Sequence, residues 1–361
     1  NLQSEIALAI SSALEAELTA GEQEDLTRDR QVDPEAHEAY LIGKSFVDRW
    51  SRESVEKGIG YLEKALEIDS DFAEAHAALA TAHMYSVVVG GGWRAAPEVV
   101  DEARAAANRA LELDESLAEA HTALGVVSMI FDWDFERGER ELRRAIELNP
   151  GFADARTFYA ALLRRLGGDN LHEAISQLKL AIQSDPLDPF YRVHMIWSNL
   201  EAGDIATVHE EYSQLLDLNP EPVLEAQGVL AESFIAVGEG RLEDAEAGFK
   251  RCVELTERRH PDMLTFLGLF YERTGRHQDA VGILNELTAL AEDRYVSPTL
   301  FAELQAAMGR VDEAFASLER AYELRCGYLV YLTESCLSLH SDPRWDDLVE
   351  RVGLPATVPF T

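Results

Sequence analysis

Gly43-Lys44-Ser45 ends as a phosphate-binding loop ends, with a small residue, a cation and a hydroxyl. That loop also needs a glycine where Glu38 stands and a strand leading into it, so the run reads better as part of a helix. Asp132-Trp133-Asp134 offers the alternating carboxylates of a calcium loop. Arg137, however, occupies the place that demands glycine, and Arg143 the place of the closing bidentate glutamate. A helix start at Asp134 is the simpler reading. His37, His172 and His209 each precede a glutamate, but none has the second histidine four residues on that a zinc hydrolase helix requires. His76 in EAHAAL and His121 in EAHTAL hold equivalent places in a repeated phrase, which marks them as structural. No Gly-x-Ser-x-Gly elbow and no glycine-rich dinucleotide fingerprint is present. No catalytic residue, metal ligand or cofactor is assigned, and the chain is read as non-catalytic.

Bulk composition narrows the remaining classes. The 361 residues are 47% hydrophobic and 27% charged, within the range of folded chains. Asp and Glu number 66 against 32 Lys and Arg, a formal net charge of −34. Nucleic-acid binders draw most of their affinity from cations that neutralise phosphates, so this balance excludes that role, and anionic membrane surfaces with it. Only five of the cations are lysines. Abundant carboxylates with few lysines fit a salt-adapted source, and a GC-rich genome explains the arginine bias equally well. No run reaches the roughly 18 apolar residues of a membrane helix. Cys252, Cys326 and Cys336 have neither an even count nor metal-ligand spacing, which points to a reduced, cytoplasmic setting. The first residue is Asn1 and not Met, as expected of a processed chain or of a piece cut from a longer polypeptide.

The strongest signal is a repeat. TGRHQDAVGIL begins at Thr274 and MGRVDEAFASL at Met308, an interval of 34 residues. A small residue recurs through the chain at Gly58, Ala103, Gly138, Ala174, Val208, Ala245, Ala280 and Ala314, at intervals of 45, 35, 36, 34, 37, 35 and 34. AIELNP, AIQSDP and LLDLNP close successive units where proline ends a helix. The long interval contains Val87 to Trp93 with its three glycines, an elongated turn that Trp93 would pack down. Ile6, Ile10, Leu14 and Leu18 recur every fourth residue and predict an amphipathic helix over residues 3–19. Trp345, Leu348 and Val352 predict a final helix that caps the last unit.

The unit beginning at Pro261, with Leu264, Leu267-Gly268, Tyr271, Gly275, Ala280 and Leu284, resembles the tetratricopeptide repeat. The resemblance implies an all-α, right-handed superhelix of about eight helical hairpins, with an N-terminal amphipathic helix and a C-terminal capping helix. Residues 1–33 are then an N-terminal helix and linker, 34–338 the array, and 339–361 a cap and tail. LQSEIALAISSAL, EAHEAYLIGK, DWDFERGERELRRAIELNP, RYVSPTLFA and GYLVYL together resemble the C-terminal arrays of bacterial multidomain regulators. There such arrays follow a TolB-like domain and an output domain of winged-helix, nucleotide cyclase or serine/threonine kinase type. By that resemblance Ile6, Ile10, Leu14 and Leu18 would close the upstream domain. Without it they would dock on the first repeat or on a second copy of the chain.

In such an array the first helix of each pair lines a concave groove that receives a peptide or domain. Taking each Leu-Gly pair as register, the groove should present Glu119, Thr122, Val126 and Met129, then Phe190, Val193 and Trp197. Glu225 and Glu232 follow, and last Asp262, Thr265, Leu269 and Glu272. Phe190 and Trp197 fit either the groove or the seam between hairpins. The Lys, Arg and Asn set that clamps a chaperone's terminal carboxylate is missing from these places. The expected partner is a protein or peptide with apolar anchors followed by Lys or Arg. The alternative is a structural spacer or dimerisation unit with no separate ligand.

Overall fold

The computed structural model describes residues 32–49, 51–88, 93–331 and 334–353. The stripe of Ile6, Ile10, Leu14 and Leu18 lies outside them. Sixteen helices pair into eight hairpins: α1 (Pro34–Val47) with α2 (Arg52–Ile68), α3 (Ala73–Val88) with α4 (Ala96–Leu113), and α5 (Ala118–Val127) with α6 (Phe135–Leu148). Next come α7 (Ala153–Leu166) with α8 (Asn170–Ser184), α9 (Pro189–Glu201) with α10 (Ile205–Asp217), and α11 (Pro222–Gly238) with α12 (Leu242–Leu255). The last pairs are α13 (Pro261–Arg273) with α14 (His277–Asp293) and α15 (Pro298–Ala307) with α16 (Val311–Glu323). Two 3₁₀ turns and α17 (Pro343–Val352) follow, and no strand occurs among the described residues. The hairpins stack into a right-handed superhelix with the odd-numbered helices on its inner side, where neighbours such as α3 and α5 or α13 and α15 touch.

The repeated phrase is a turn with its own ion pair. Gly240, Gly275 and Gly309 adopt φ of 75°, 77° and 70°, a left-handed conformation that an L side chain resists. The arginine after each donates its backbone N–H to a carbonyl of the first helix: Arg241 to Ala236 at 2.8 Å, Arg276 to Tyr271 at 2.8 Å and Arg310 to Gln305 at 2.9 Å. Its guanidinium then reaches the acid in the first turn of the second helix, Asp244, Asp279 or Glu313, at 2.8, 2.7 and 2.8 Å. The other edge has a matching device. Asp69, Asp114, Asn149 and Asp185 each end a helix and accept the N–H two residues on, at 3.2, 2.9, 3.1 and 3.2 Å. His76 and His121 bond the carbonyls of Ser70 and Glu115 from equivalent places, at 2.9 and 3.3 Å, so both brace the turn before their helix. Cys252, Cys326 and Cys336 are buried, and no disulfide joins them.

Each recurring small residue lies where the second helix meets the first. Gly43, mid-helix in α1, faces Gly58 of α2, and a Cβ on Gly58 would stand 2.9 Å from the Gly43 carbonyl oxygen. Gly125 and Gly138 repeat the arrangement with a Cβ-to-oxygen distance of 3.1 Å from Gly138. Asp134 caps α6 by accepting the Arg137 N–H at 2.9 Å, and so it starts a helix. Just before it, Ser128–Asp132 forms a π-helical turn that ends at Trp133 with φ 59°.

That π turn does work the periodicity could not reveal. Trp133 is 8% exposed although it sits at the tip of the third hairpin, because it joins the core of the C-terminal cap. Its ring lies 5.1 Å from that of Tyr322, and the Arg325 guanidinium stands over it at 4.3 Å. Gly327 abuts Ile130 and Phe131 so closely that a Cβ would fall 2.3 Å from Ile130 Cγ2. The same edge of the first two hairpins, at Ser51, Arg52 and Trp93, shares a cavity wall with residues before α11, α13 and α15. The superhelix is therefore wound tightly enough for its first three hairpins to rest on its last three. The cap does cover the last hairpin as expected, with Leu348 and Val352 packed beside Ala314 and Phe315, and it holds the third hairpin as well.

Three substitutions check this packing. Gly58→Val should cost about 1–3 kcal/mol in urea unfolding, because the helices must separate. Gly282→Ala, at a helical position where the new Cβ meets nothing within 4 Å beyond its own stretch of helix, should instead stabilise by about 0.4–1 kcal/mol. Trp133→Ala should lose about 3–5 kcal/mol and lengthen the molecule in small-angle scattering; an unchanged radius of gyration would show that the clasp does not set the pitch.

Candidate functional site

The inner face of the first four hairpins holds a polar cleft. Tyr40 and Lys44 from α1, Asp48 just after it, Glu74, Ala77 and Thr81 from α3, Glu119 at the start of α5 and Asp154 at the start of α7 line a space of about 50 Å³. Asp154 anchors it. One carboxylate oxygen accepts from Tyr191 Oη on α9 at 2.8 Å and the other from Tyr85 Oη on α3 at 3.4 Å, so three first helices converge on one acid. Asp188 caps α9 alongside, accepting the Phe190 N–H at 2.9 Å.

Burial and crowding shape the charges here. Burial pushes the Asp154 carboxyl up to about 6, although the hydroxyls of Tyr191 and Tyr85 and the charge on Lys44 work the other way, and Asp48 adds to the rise. Burial also pushes Asp188 up to about 7, with Asp154, Asp185 and Asp48 reinforcing it against the Phe190 N–H. Asp48 is raised by burial and by Asp185, opposed by Lys44. Lys44 is the cation that faces them. Burial disfavours its charge, but Tyr40, Glu119, Asp48 and Asp154 outweigh burial and raise it. An added ammonium or guanidinium would relieve this group of carboxylates.

The expected groove residues fall in three places. Val126 and Met129 are 0% and 1% exposed and belong to the core. The π turn explains Met129: the extra residue rotates it toward α6, where a Cβ on Gly138 would meet Met129 Cβ at 3.1 Å. Thr122 and Thr265 are buried and bond carbonyls of their own helices. Phe190, Val193 and Leu269 are nearly buried at 9%, 6% and 7%. Phe190 packs at a tilt on Phe158 and edge-on to His194 at 6.0 and 4.5 Å, which is seam packing. Trp197 is part-buried. Its Nε1 donates to Gln227 on α11 at 3.2 Å and its ring meets Phe234 edge-on at 6.1 Å, so it joins the inner faces of the fifth and sixth hairpins.

Glu225 and Glu232 are out of register. Counting back from the turn glycines Gly203, Gly240 and Gly275, the residues equivalent to Trp197 are Phe234 and Leu269, and those equivalent to Phe190 are Gln227 and Asp262. Glu225 instead pairs with Arg251 at 3.4 Å and Glu232 with His209 at 2.7 Å. Glu272 pairs with His277 at 2.9 Å, and Asp262 is buried beside His260 at 3.9 Å. The acids of the groove thus gather in the first four hairpins, and the rings of Trp197, Phe234 and Phe266 in the fifth to seventh. That is the reverse of the order expected from sequence. One signal could have located the acidic end: Phe72-Ala-Glu74, Leu117-Ala-Glu119 and Phe152-Ala-Asp154 repeat an acid at one position of successive hairpins. The tyrosines that complete it come from different helices and have no common spacing.

No group of His, Cys, Asp and Glu among the described residues is arranged to hold a metal ion, and none of the described helices is long and apolar enough to cross a membrane. Residues 230–294, most of the sixth hairpin and all of the seventh, match the family model of the tetratricopeptide repeat. No curated protein matches the chain. Among solved structures, a chain of the APC/C hetero-tetramer Cut9-Hcn1 is similar over 93% of this chain and 67% of its own, at 14% identity and a TM-score of 0.55. Yeast Tom70 is similar over 90% of this chain and 69% of its own, at 14% identity and a TM-score of 0.52. Identity this low speaks for the fold alone, and together with the repeat match it identifies the described array as a solenoid of tetratricopeptide hairpins.

Proposed function

We propose that the array is a non-catalytic protein-interaction scaffold whose inner face takes an extended segment of a partner protein. The segment carries Lys or Arg into the cleft around Asp154 and an apolar side chain onto the rings of Trp197, Phe234 and Phe266. The observation that carries this reading is the converging carboxylates of Asp48, Asp154 and Asp188 with Lys44 as the facing cation. A fold does not need such a cluster, since burying carboxylates costs stability unless something pairs with them. The acidic field would also speed the approach of a basic segment. In this reading the array is the cytoplasmic, partner-binding part of a larger bacterial regulatory protein, and the stripe of Ile6, Ile10, Leu14 and Leu18 is its docking or dimer contact.

The cleft predicts opposite pH dependences for stability and for binding. A carboxyl raised in the folded state binds its proton more tightly there than in the unfolded chain, so stability should rise as pH falls from about 7.5 toward 5. Asp154→Asn should flatten that rise in thermal unfolding. Binding of a basic peptide needs the ionised carboxylates and should therefore strengthen over the same range as pH increases. Calorimetry with an Arg- and Leu-containing peptide should show Asp154→Asn weakening association by roughly tenfold, about 1.4 kcal/mol, while Trp197→Ala costs about 2 kcal/mol with helicity retained. Peptide affinity that is indifferent to both substitutions would leave the groove without a ligand and favour the spacer role.

A further inference from the structure

Where the first turn of the superhelix rests on the second, the two edges leave an open cavity of about 570 Å³. Its walls are the start of α2 at Ser51, Trp93 ahead of α4, the start of α11 at Pro222, the connection from Leu255 to Pro261 and the residues after α14, Arg294 and Tyr295. This volume is in the range of small-molecule sites. It is separate from the cleft around Asp154, with which it shares no lining residue.

The polar atoms on these walls are mismatched mainly toward donors. Trp93 Nε1, Arg294 Nε and both ring nitrogens of His260 are buried without a hydrogen-bond partner. An indole and a guanidinium can only donate, and a neutral imidazole donates through one of its two nitrogens. His260 is 8% exposed, and burial lowers its pKa against the pull of Asp262, so the ring is neutral near pH 7. Buried donors in native proteins are almost always satisfied. What this cavity lacks is an acceptor.

The charges around it agree. Arg52 is tied to Glu56 at 2.8 Å and Glu53 to Lys57 at 2.7 Å, so those pairs neutralise themselves. Arg259 has no carboxylate partner among the described residues but is itself exposed, and Arg294 uses Nη1 on the Arg259 carbonyl at 3.3 Å. Glu221 and Glu257 also line the cavity but are exposed, where water screens them. Pro222, Val223, Leu255 and Pro261 supply apolar wall.

We propose that this inter-turn cavity binds a small molecule that carries an oxyanion, a carboxylate or a phosphate, on an apolar body. The oxyanion accepts from Trp93, Arg294 and His260, and the body packs on the proline and leucine wall. Because the ligand touches the first two hairpins and the connections before α11, α13 and α15 at once, it ties the two turns together. Occupancy then raises the stability of the wound form by mass action.

Phenylacetate and phenyl phosphate test the two oxyanions, and phenylacetamide is the neutral control. Calorimetry and thermal unfolding of the intact chain should show at least one of the anions binding with Kd of about 1 mM or tighter and raising the melting temperature, with the amide at least roughly tenfold weaker. Preference for phenylacetate or phenyl phosphate identifies the oxyanion. Trp93→Phe, which keeps the ring and removes the N–H, and Arg294→Gln should each weaken the anion by roughly tenfold. The proposal is overturned if neither anion gives heat or a thermal shift, if the amide binds as well as the acid, or if both variants, with native circular dichroism, bind the anions as wild type does.

Discussion

The structure depends on how closely two helices of a hairpin can approach. At Gly43 with Gly58 and at Gly125 with Gly138 the backbones come within the reach of a single Cβ. In the sixth hairpin Ser233 on α11 fills the space over Gly248 of α12, where a Cβ would stand 2.1 Å from the serine oxygen. Small residues at these crossings bring the large ones, such as Leu62, Leu142 and Phe249, into full contact with the opposite helix. A hairpin made this way still has an apolar side left over, and only the next hairpin can cover it. The contacts between consecutive odd-numbered helices follow from that need.

Stacking alone would give an open spiral. Here the spiral closes on its own next turn through side chains that belong to no repeat position: Trp133 at the end of a π turn, Tyr322, Arg325 and the glycine at 327. The consequence is a bounded inner face rather than a trough open along its length. It also creates an inter-turn seam whose lining comes from residues far apart in sequence, Ser51 and Tyr295 among them. Neither the π turn nor the left-handed Trp133 helps the third hairpin by itself; both make sense as devices that aim a large ring at the cap.

Charge divides into two populations. Most ion pairs are exposed and local, such as Arg52 with Glu56 or Arg310 with Glu313, and pairs of this kind contribute little each. They spread the few cations of a chain of net charge −34 along its helix surfaces. The carboxylates of Asp154 and Asp188 are different, because burial and mutual repulsion hold them toward the neutral form. Local consistency is broken there while it is kept elsewhere, the pattern found where a site has been built at the expense of the fold.

The sequence by itself determined the hairpins. Period, turn glycines, closing Asp or Asn and the small residues from Gly58 to Ala314 are local features, each satisfied within one unit and its neighbour, so they are legible in one dimension. It also placed Glu119, Phe190 and Trp197 on helices that face inward. Tertiary structure decided which of those side chains has a free surface. Val126 went to the core from within its regular helix, and Met129 was turned there by the π turn. Glu225 and Glu232 were displaced because the unit lacks a clear Leu-Gly pair and only the glycine at 240 sets its register. The meeting of Tyr85, Asp154 and Tyr191, the Trp133 clasp and the seam cavity were decided by the pitch of the superhelix. Pitch is a sum of small rotations over many hairpins, and no spacing within one repeat encodes it.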